Sequence, residues 1–137
     1  QICAGIMIGS FYAAGQISAV QEFATQLSPH LLKIGGSVAL MMVGMLTGSQ
    51  TTAQTTIFSF LGPALVSIGV DPIKVTVAGG HLACAGEGFP PACLTTFVVT
   101  GLVGGILGVK VDPLRSMFYS SYLCFYFMIV GLLLLYI

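Results

Sequence analysis

The long uncharged stretch at the end of the chain constrains the fold most strongly. Residues 116–137 contain no Asp, Glu, Lys or Arg, and a run of this length fits a helix that crosses the hydrocarbon core of a bilayer. Across the whole chain 56% of residues are hydrophobic and only 6% are charged, whereas soluble domains carry about 25% charged residues. We therefore predict an all-α integral membrane protein, with a transmembrane helix over residues 113–137 and the lipid bilayer as a partner.

The charge and the cysteines exclude other classes. The formal net charge is +0, so there is no basic patch for phosphates and nucleic acid is not an expected partner. The cysteines lie in apolar runs without C-x-x-C spacing, which is typical of small membrane-helix residues and not of a disulfide framework. Because the chain opens with Gln1 inside an apolar run, we expect it to be the C-terminal part of a longer protein.

The first segments predict two different helices. Residues 2–14 are apolar and predict the end of a membrane helix, on which Gly5 and Gly9 permit close helix contact. In residues 16–28, apolar residues recur with the period of a helix and polar residues lie opposite them. This pattern predicts an amphipathic helix on the membrane surface, with a polar loop as the alternative. Its predicted apolar face consists of Ile17, Val20, Phe23, Ala24 and Leu27.

A polar run interrupts residues 29–68. Its first charge-free arm, residues 34–46, would be about 20 Å long as a helix, which is shorter than the ~30 Å hydrocarbon core. A second apolar arm, residues 57–68, returns from the polar run. Short arms joined by a polar tip predict a re-entrant hairpin inside the membrane, and two tilted full spans are the alternative. The candidate cation- and substrate-binding residues at the tip are Gly48, Ser49, Gln50, Thr51 and Thr52.

A second interruption divides residues 72–107. Glycine costs backbone entropy in a helix and proline lacks the N–H, so we expect the helix to stop at the Gly-Glu-Gly-Phe-Pro-Pro sequence. The flanking arms, 73–85 and 92–107, would be about 20 and 24 Å long, so the break should lie at membrane depth. Irregular backbone is tolerated there only inside protein or beside a watery cavity. The candidate site residues in this segment are Gly86, Glu87, Gly88, Pro90 and Pro91.

Glu87 is the one acid within an apolar stretch. Its carboxylate must be paired, protonated, solvated or cation-bound there, which makes it a candidate for ion or proton binding. The alternative is that it caps a broken helix end or pairs with a basic residue. His81 and Cys84 lie nearby without a recognised metal-ligand spacing, and no hydrolase motif is present, so we expect no resident cofactor, no structural metal and no enzyme. A packed, neutral histidine is the better interpretation of His81.

Two interruptions that face each other would form one combined site. Oxygen atoms of the tip suit Na⁺, and frayed helix ends add carbonyl charge. The N-terminal ends of the resuming helices, near Ala53 and Ala92, favour a carboxylate. A simple hydrophilic turn at the tip is the alternative.

Six short motifs follow one another along the chain. They are Gly44-Met45, Thr51-Thr52-Ala53, Gly62-Pro63-Ala64-Leu65, Gly69-Val70-Asp71-Pro72, Pro90-Pro91 and Thr96-Phe97-Val98-Val99-x-Gly101. As an ordered set they resemble the C-terminal half of the large membrane subunit of TRAP (tripartite ATP-independent periplasmic) transporters, the DctM-like family of the ion-transporter superfamily. The resemblance extends from about residue 5 to the last residue.

This resemblance implies a fold of two inverted repeats, each with a re-entrant hairpin, a broken helix and flanking transmembrane helices, of which this chain is the second. It implies that Gln50, Thr51 and Thr52 form the tip motif and that 86–91 is the unwound stretch, both contributing to Na⁺ and substrate binding. It further implies elevator-type import of organic acids, such as C4-dicarboxylates and sialic acid, across the bacterial inner membrane. The implied partners are the N-terminal half, a small four-helix membrane subunit and a periplasmic substrate-binding protein.

Departures from the family pattern leave the coupling ion open. The tip often has an acid where Gln50 stands, a threonine commonly stands at Phe89, and Glu87 falls in a stretch that is usually uncharged. Na⁺-coupled transport, which the resemblance implies, is the main hypothesis. Proton-coupled transport through Glu87 is the alternative. A non-transporting scaffold that holds partners through the G-x-x-x-G spacings of residues 101–108 is a second alternative.

Overall fold

The computed structural model describes residues 2–91 and 93–137, and in these residues the chain is helical without any strand. The all-helical fold expected from the composition is therefore confirmed. The elements are α1 (Ile2–Ala13), α2 (Gln16–Gln26), α3 (Pro29–Thr47), α4 (Gln50–Ala53), a π-helical segment (Gln54–Phe58), α5 (Ser59–Ser67), α6 (Pro72–Gly88), α7 (Leu94–Leu107) and α8 (Pro113–Tyr136).

Short polar caps followed by proline begin the three longest helices. The Ser28 hydroxyl accepts a hydrogen bond from the Leu31 N–H at 3.3 Å, and proline is the first residue of α3. Asp71 and Asp112 each accept two backbone N–H groups and so cap α6 and α8. Such caps satisfy N–H groups that have no partner within the helix, so these boundaries follow from local sequence.

The expectation that the helix stops at Gly86 is wrong. α6 continues through Gly86 and Gly88, and Phe89 is its C-cap. A Cβ atom on Gly86 would overlap the carbonyl oxygen of Met41 on α3. Close packing between α3 and α6 therefore explains the glycine, and this packing outweighs the modest cost of glycine in a helix.

The hairpin tip is also shorter than its polar sequence predicts. The second arm begins at Gln50, earlier than the starts near Ala53 and at Ile57 that the sequence predicts. Only Gly48 and Ser49 therefore lie outside the helices at the tip. The polar residues that follow are helical because the Ser49 side chain caps the first turn. The helix end expected near Ala53 therefore lies at Gln50.

α6 lies at the centre of the fold and packs along α3 and α8. Gly44 of α3 faces the backbone of α6, where its Cβ would lie 3.0 Å from the Ala83 carbonyl oxygen. On the other side, a Cβ on Gly131 of α8 would lie 2.8 Å from Leu82 Cγ. Small residues thus let all three helices approach closely. The side chains that fill the core between the elements include Leu40, Leu65, Val75, Leu82 and Met117.

Among the described residues, α3 and α8 are the two helices long and apolar enough to cross a membrane, while α7 is shorter. α3 has 19 residues, or about 28 Å, which is close to the thickness of the hydrocarbon core. The prediction of a re-entrant hairpin considered only the charge-free residues 34–46 of this helix, which are shorter. Tyr119, Tyr122 and Tyr126 of α8 are exposed.

The glycine spacings on α1 and α7 do not contact another helix within the described part of the chain. Ideal Cβ atoms on Gly5 and Gly9, and on Gly101 and Gly105, would meet no atom within 4 Å. The predicted close helix packing at these glycines is therefore not made between the residues that the structure describes. α2 is helical as predicted, but the Ile17, Val20 and Ala24 side chains of its predicted apolar face lie outside the described residues.

Candidate functional site

The hairpin tip, residues 48–52, is a tight reversal between α3 and the second arm. Gly48 adopts a left-handed backbone conformation with φ of 59°, which glycine reaches without a Cβ penalty. The Ser49 hydroxyl then accepts hydrogen bonds from the Thr52 N–H at 3.3 Å and from the Thr52 hydroxyl at 3.0 Å. The tip is therefore an ordered helix start whose hydroxyl groups bond one another.

Glu87 contacts this tip directly. Its Oε2 atom accepts a hydrogen bond from the backbone N–H of Gln50 at 3.3 Å. Gln50 is the first residue of the second arm, where free N–H groups and the helix dipole favour negative charge. The structure thus places the predicted intramembrane acid and the predicted tip in one site. Of the interpretations open for Glu87, this contact agrees with the carboxylate that caps a helix end.

The amide side chains of Gln50 and Gln54 contact α6 about two turns before Glu87, at Gly80. Gln50 Nε2 donates to the Gly80 carbonyl oxygen at 3.4 Å. A Cβ on Gly80 would lie 3.4 Å from the Gln54 amide nitrogen, an ordinary contact distance, so both glutamine side chains lie beside Gly80. Gln54 begins the π-helical segment, a conformation that is frequent at functional sites. Sequence reasoning named Gln50 as a site residue but missed Gln54, which no motif in the sequence marks.

The connection between α6 and α7 consists of Phe89, Pro90, Pro91 and Cys93 among the described residues. Pro90 is half-buried and Pro91 is exposed, while the Phe89 ring meets Phe125 of α8 edge-on at 5.2 Å. Ala92, near which a positive helix end was expected, lies outside the described residues. The helix start that the structure describes has Cys93 as its N-cap; the Cys93 sulfur accepts the Thr96 hydroxyl at 3.1 Å and no backbone N–H.

Gly86 and Gly88 lie on opposite sides of the site as packing residues. Gly86 is buried against the Met41 backbone, and a Cβ on Gly88 would lie 2.5 Å from the Cys124 sulfur of α8. Both are helical, and the Gly86 carbonyl accepts the Phe89 N–H at 3.2 Å. The structure therefore brings Ser49, Gln50 and Glu87 together and uses these two glycines to hold α3 and α8 close.

The position of the site along α8 is well defined. Gly88 packs against Cys124, which lies midway along the helix Pro113–Tyr136. At the far end of α8, the Tyr136 ring contacts Lys33, near the start of α3. From Tyr136 to Cys124 the helix rises about 18 Å. The tip and the helix break thus lie beside the middle of the longest apolar helix.

The neighbouring His81 and Cys84 do not form a metal centre with Glu87. His81 Nδ1 lies 2.8 Å from the Val77 carbonyl oxygen, and its ring packs at 5.7 Å from Phe127. In the described residues no group of three His, Cys, Asp or Glu side chains could hold a metal ion. The packed histidine predicted from the sequence agrees with this arrangement.

Thr51 and Thr52 are exposed at the tip. Both could offer hydroxyl oxygens to a small ion, although the Thr52 hydroxyl already donates to Ser49. No protein-family model, curated protein or solved structure matches the chain.

Proposed function

We propose that this chain forms one half of a cation-coupled secondary transporter for organic anions, with Na⁺ as the coupling ion. The observation that carries the proposal is the hydrogen bond from the Gln50 N–H to Glu87, which joins two separate helix interruptions. A soluble helical bundle has no need to bring two interruptions together, whereas broken helices that meet near the bilayer midplane are the usual basis of transporter sites.

The depth of these interruptions supports the same function. If α8 spans the bilayer, then the tip and the helix break lie near its midplane, because Gly88 packs against Cys124. Residues 29–67 would then form a re-entrant hairpin in a multi-pass protein of the bacterial inner membrane. The open glycine faces of α1 and α7 would pack against the N-terminal half, and a small membrane subunit and a periplasmic binding protein would complete the assembly.

The two sides of the tip suit ligands of opposite charge. α3 ends at Thr47, so its last carbonyl groups carry partial negative charge and favour Na⁺. The second arm begins at Gln50, so its first N–H groups favour a carboxylate. Glu87 now supplies that carboxylate. A substrate carboxylate would take over its N–H partner, so Glu87 would have to move or gain a proton when substrate binds.

Proton coupling is the second candidate, and the same contact favours it. Protonating Glu87 removes the negative charge from the helix start, which would free the Gln50 N–H for substrate. The Glu87→Gln variant, fixed in the uncharged form, separates the two mechanisms. If transport is Na⁺-coupled, the pH profile of uptake should be the same in this variant as in wild type. If transport is proton-coupled, the variant should lose the pH dependence of uptake.

Uptake by the complete assembly in proteoliposomes tests the function. A C4-dicarboxylate such as succinate should accumulate with an inward Na⁺ gradient and not when K⁺ replaces Na⁺. Thr52→Val should weaken the Na⁺ dependence because it removes a tip hydroxyl. Thr76→Val, at an exposed threonine on α6, is the matched control and should transport normally. Equal uptake in Na⁺ and K⁺ would exclude Na⁺ coupling, and no uptake of any organic anion would favour the scaffold.

A further inference from the structure

A second polar site lies at the opposite end of the bundle, which we call the basal end, where α3 and α6 begin and α8 finishes. A cavity of about 270 Å³ opens there between Lys33 of α3, Lys74 of α6, the turn at residues 68–71 and the last residues of α8. Its accessible lining is mainly polar. By contrast, a cavity of similar volume between α3 and α8, beside Met41 and Met128, has an apolar lining.

The charges of the cavity favour an anion. Both lysines are half-buried, and neither ammonium has an ion-pair partner in the part of the chain that the structure describes. Asp71 is the acid in the lining, but one of its oxygens already accepts the N–H groups of Ile73 and Lys74, at 2.8 and 3.1 Å. Two positive side chains thus face one acidic side chain, which already caps a helix.

Tyr136 holds the cationic side of the cavity in place. Lys33 Nζ lies 4.8 Å above the centre of its ring, and the His30 ring stacks on it at 5.8 Å. Cation–π contact orients the ammonium without neutralising it. The charged side chains and the turn at residues 68–71 lie beside Tyr136, so a spanning α8 would place the cavity where hydrocarbon gives way to headgroups, a depth at which tyrosine and lysine are common.

We propose that this cavity binds the phosphate group of an anionic phospholipid. Basic pockets between membrane helices are suited to such headgroups, and each basic residue contributes favourably near the surface. The competing role is purely internal, in which the lysines offset the partial negative charge at the end of α8. The lipid site rests on the membrane placement of α8 in the proposed function, and it does not depend on transport.

Native mass spectrometry of the full chain in detergent tests this site with phosphatidylglycerol and phosphatidylcholine of identical acyl chains. Wild-type protein should bind one phosphatidylglycerol in clear preference to phosphatidylcholine. Each lysine removed, by Lys33→Gln or Lys74→Gln, should lower that affinity about fivefold. Lys33→Arg with Lys74→Arg should retain the preference. Lys110→Gln, at the exposed lysine before α8, is the matched control and should bind as wild type does.

Three results would overturn the lipid site. They are equal binding of the two lipids by wild-type protein, an unchanged preference in the double glutamine variant, and complete displacement of phosphatidylglycerol by an equal concentration of inorganic phosphate. The wild-type comparison decides the matter even if the double variant does not fold. Loss of uptake with the lipid preference retained would refute transport alone, and intact uptake without the preference would refute the lipid site alone.

Discussion

The Glu87 carboxylate accepts a hydrogen bond from the Gln50 backbone N–H across 37 residues of sequence. The contact joins the last turn of α6 to the first turn of the second hairpin arm. Because it satisfies one of the free N–H groups at a helix start, it stabilises the tip. If a substrate carboxylate competes for the same N–H, as the proposed function requires, the contact would also link the stability of the tip to ligand binding.

Removing this carboxylate should loosen the tip. In Glu87→Ala, we expect amide hydrogen exchange of residues 50–53 to accelerate about fivefold, which corresponds to the loss of about 1 kcal/mol for one hydrogen bond. Glu87→Gln should have a smaller effect, since an amide oxygen still accepts. Exchange within residues 36–42 of α3 is the internal control and should not change. Equal protection of residues 50–53 in wild type and Glu87→Ala would show that the contact does not stabilise the tip.

The Ser49 hydroxyl should matter as a helix cap. Ser49→Ala removes the acceptor of the Thr52 N–H, and loss of an N-cap costs about 1 kcal/mol. Thermal unfolding in detergent should show this loss. Ser67→Ala is the matched control, because that exposed hydroxyl donates to the Ala64 carbonyl and caps no helix start. A loss of stability no larger in Ser49→Ala than in Ser67→Ala would contradict the cap.

Packing predicts opposite effects for two helical glycines. Gly86→Ala should destabilise the protein by about 1–3 kcal/mol, because the new Cβ meets the Met41 backbone, which cannot move aside as a flexible side chain would. Gly105→Ala on α7 should be neutral or stabilising by up to about 1 kcal/mol, because its Cβ meets open space and alanine favours the helix. Chemical denaturation in detergent measures both. A stable Gly86→Ala variant would show that α3 and α6 are not in this close contact.

Cysteine labelling should locate the tip in the bilayer. In a cysteine-free background, Gly69→Cys and Lys110→Cys should react with a membrane-impermeant maleimide from opposite sides of the membrane, since they lie at opposite ends of the bundle. Ser49→Cys should react much more slowly than either from both sides, as expected for a tip beside the middle of α8. A Ser49→Cys variant that labels as fast as Lys110→Cys would place the tip at the far surface, and residues 29–67 would then be two full spans.

The candidate site could be predicted from sequence only in part. The polar run after α3 and the lone acid of α6 were both visible, because polar groups within apolar stretches are costly and therefore conspicuous. The sequence did not show that Gln50 contacts Glu87, or that two glutamine side chains approach Gly80. These contacts depend on the register between two helices, which no local pattern specifies.

The sequence by itself determined that the chain is helical and where its long helices begin, because Ser28, Asp71 and Asp112 cap the residues beside them and proline fixes the first turn. Only the tertiary structure decided that α6 continues through Gly86 and Gly88. Glycine disfavours a helix when considered alone, but its missing side chain lets neighbouring helices pack against α6. Local propensity is worth less than about 1 kcal/mol at each such residue, so the contacts between helices decide the outcome.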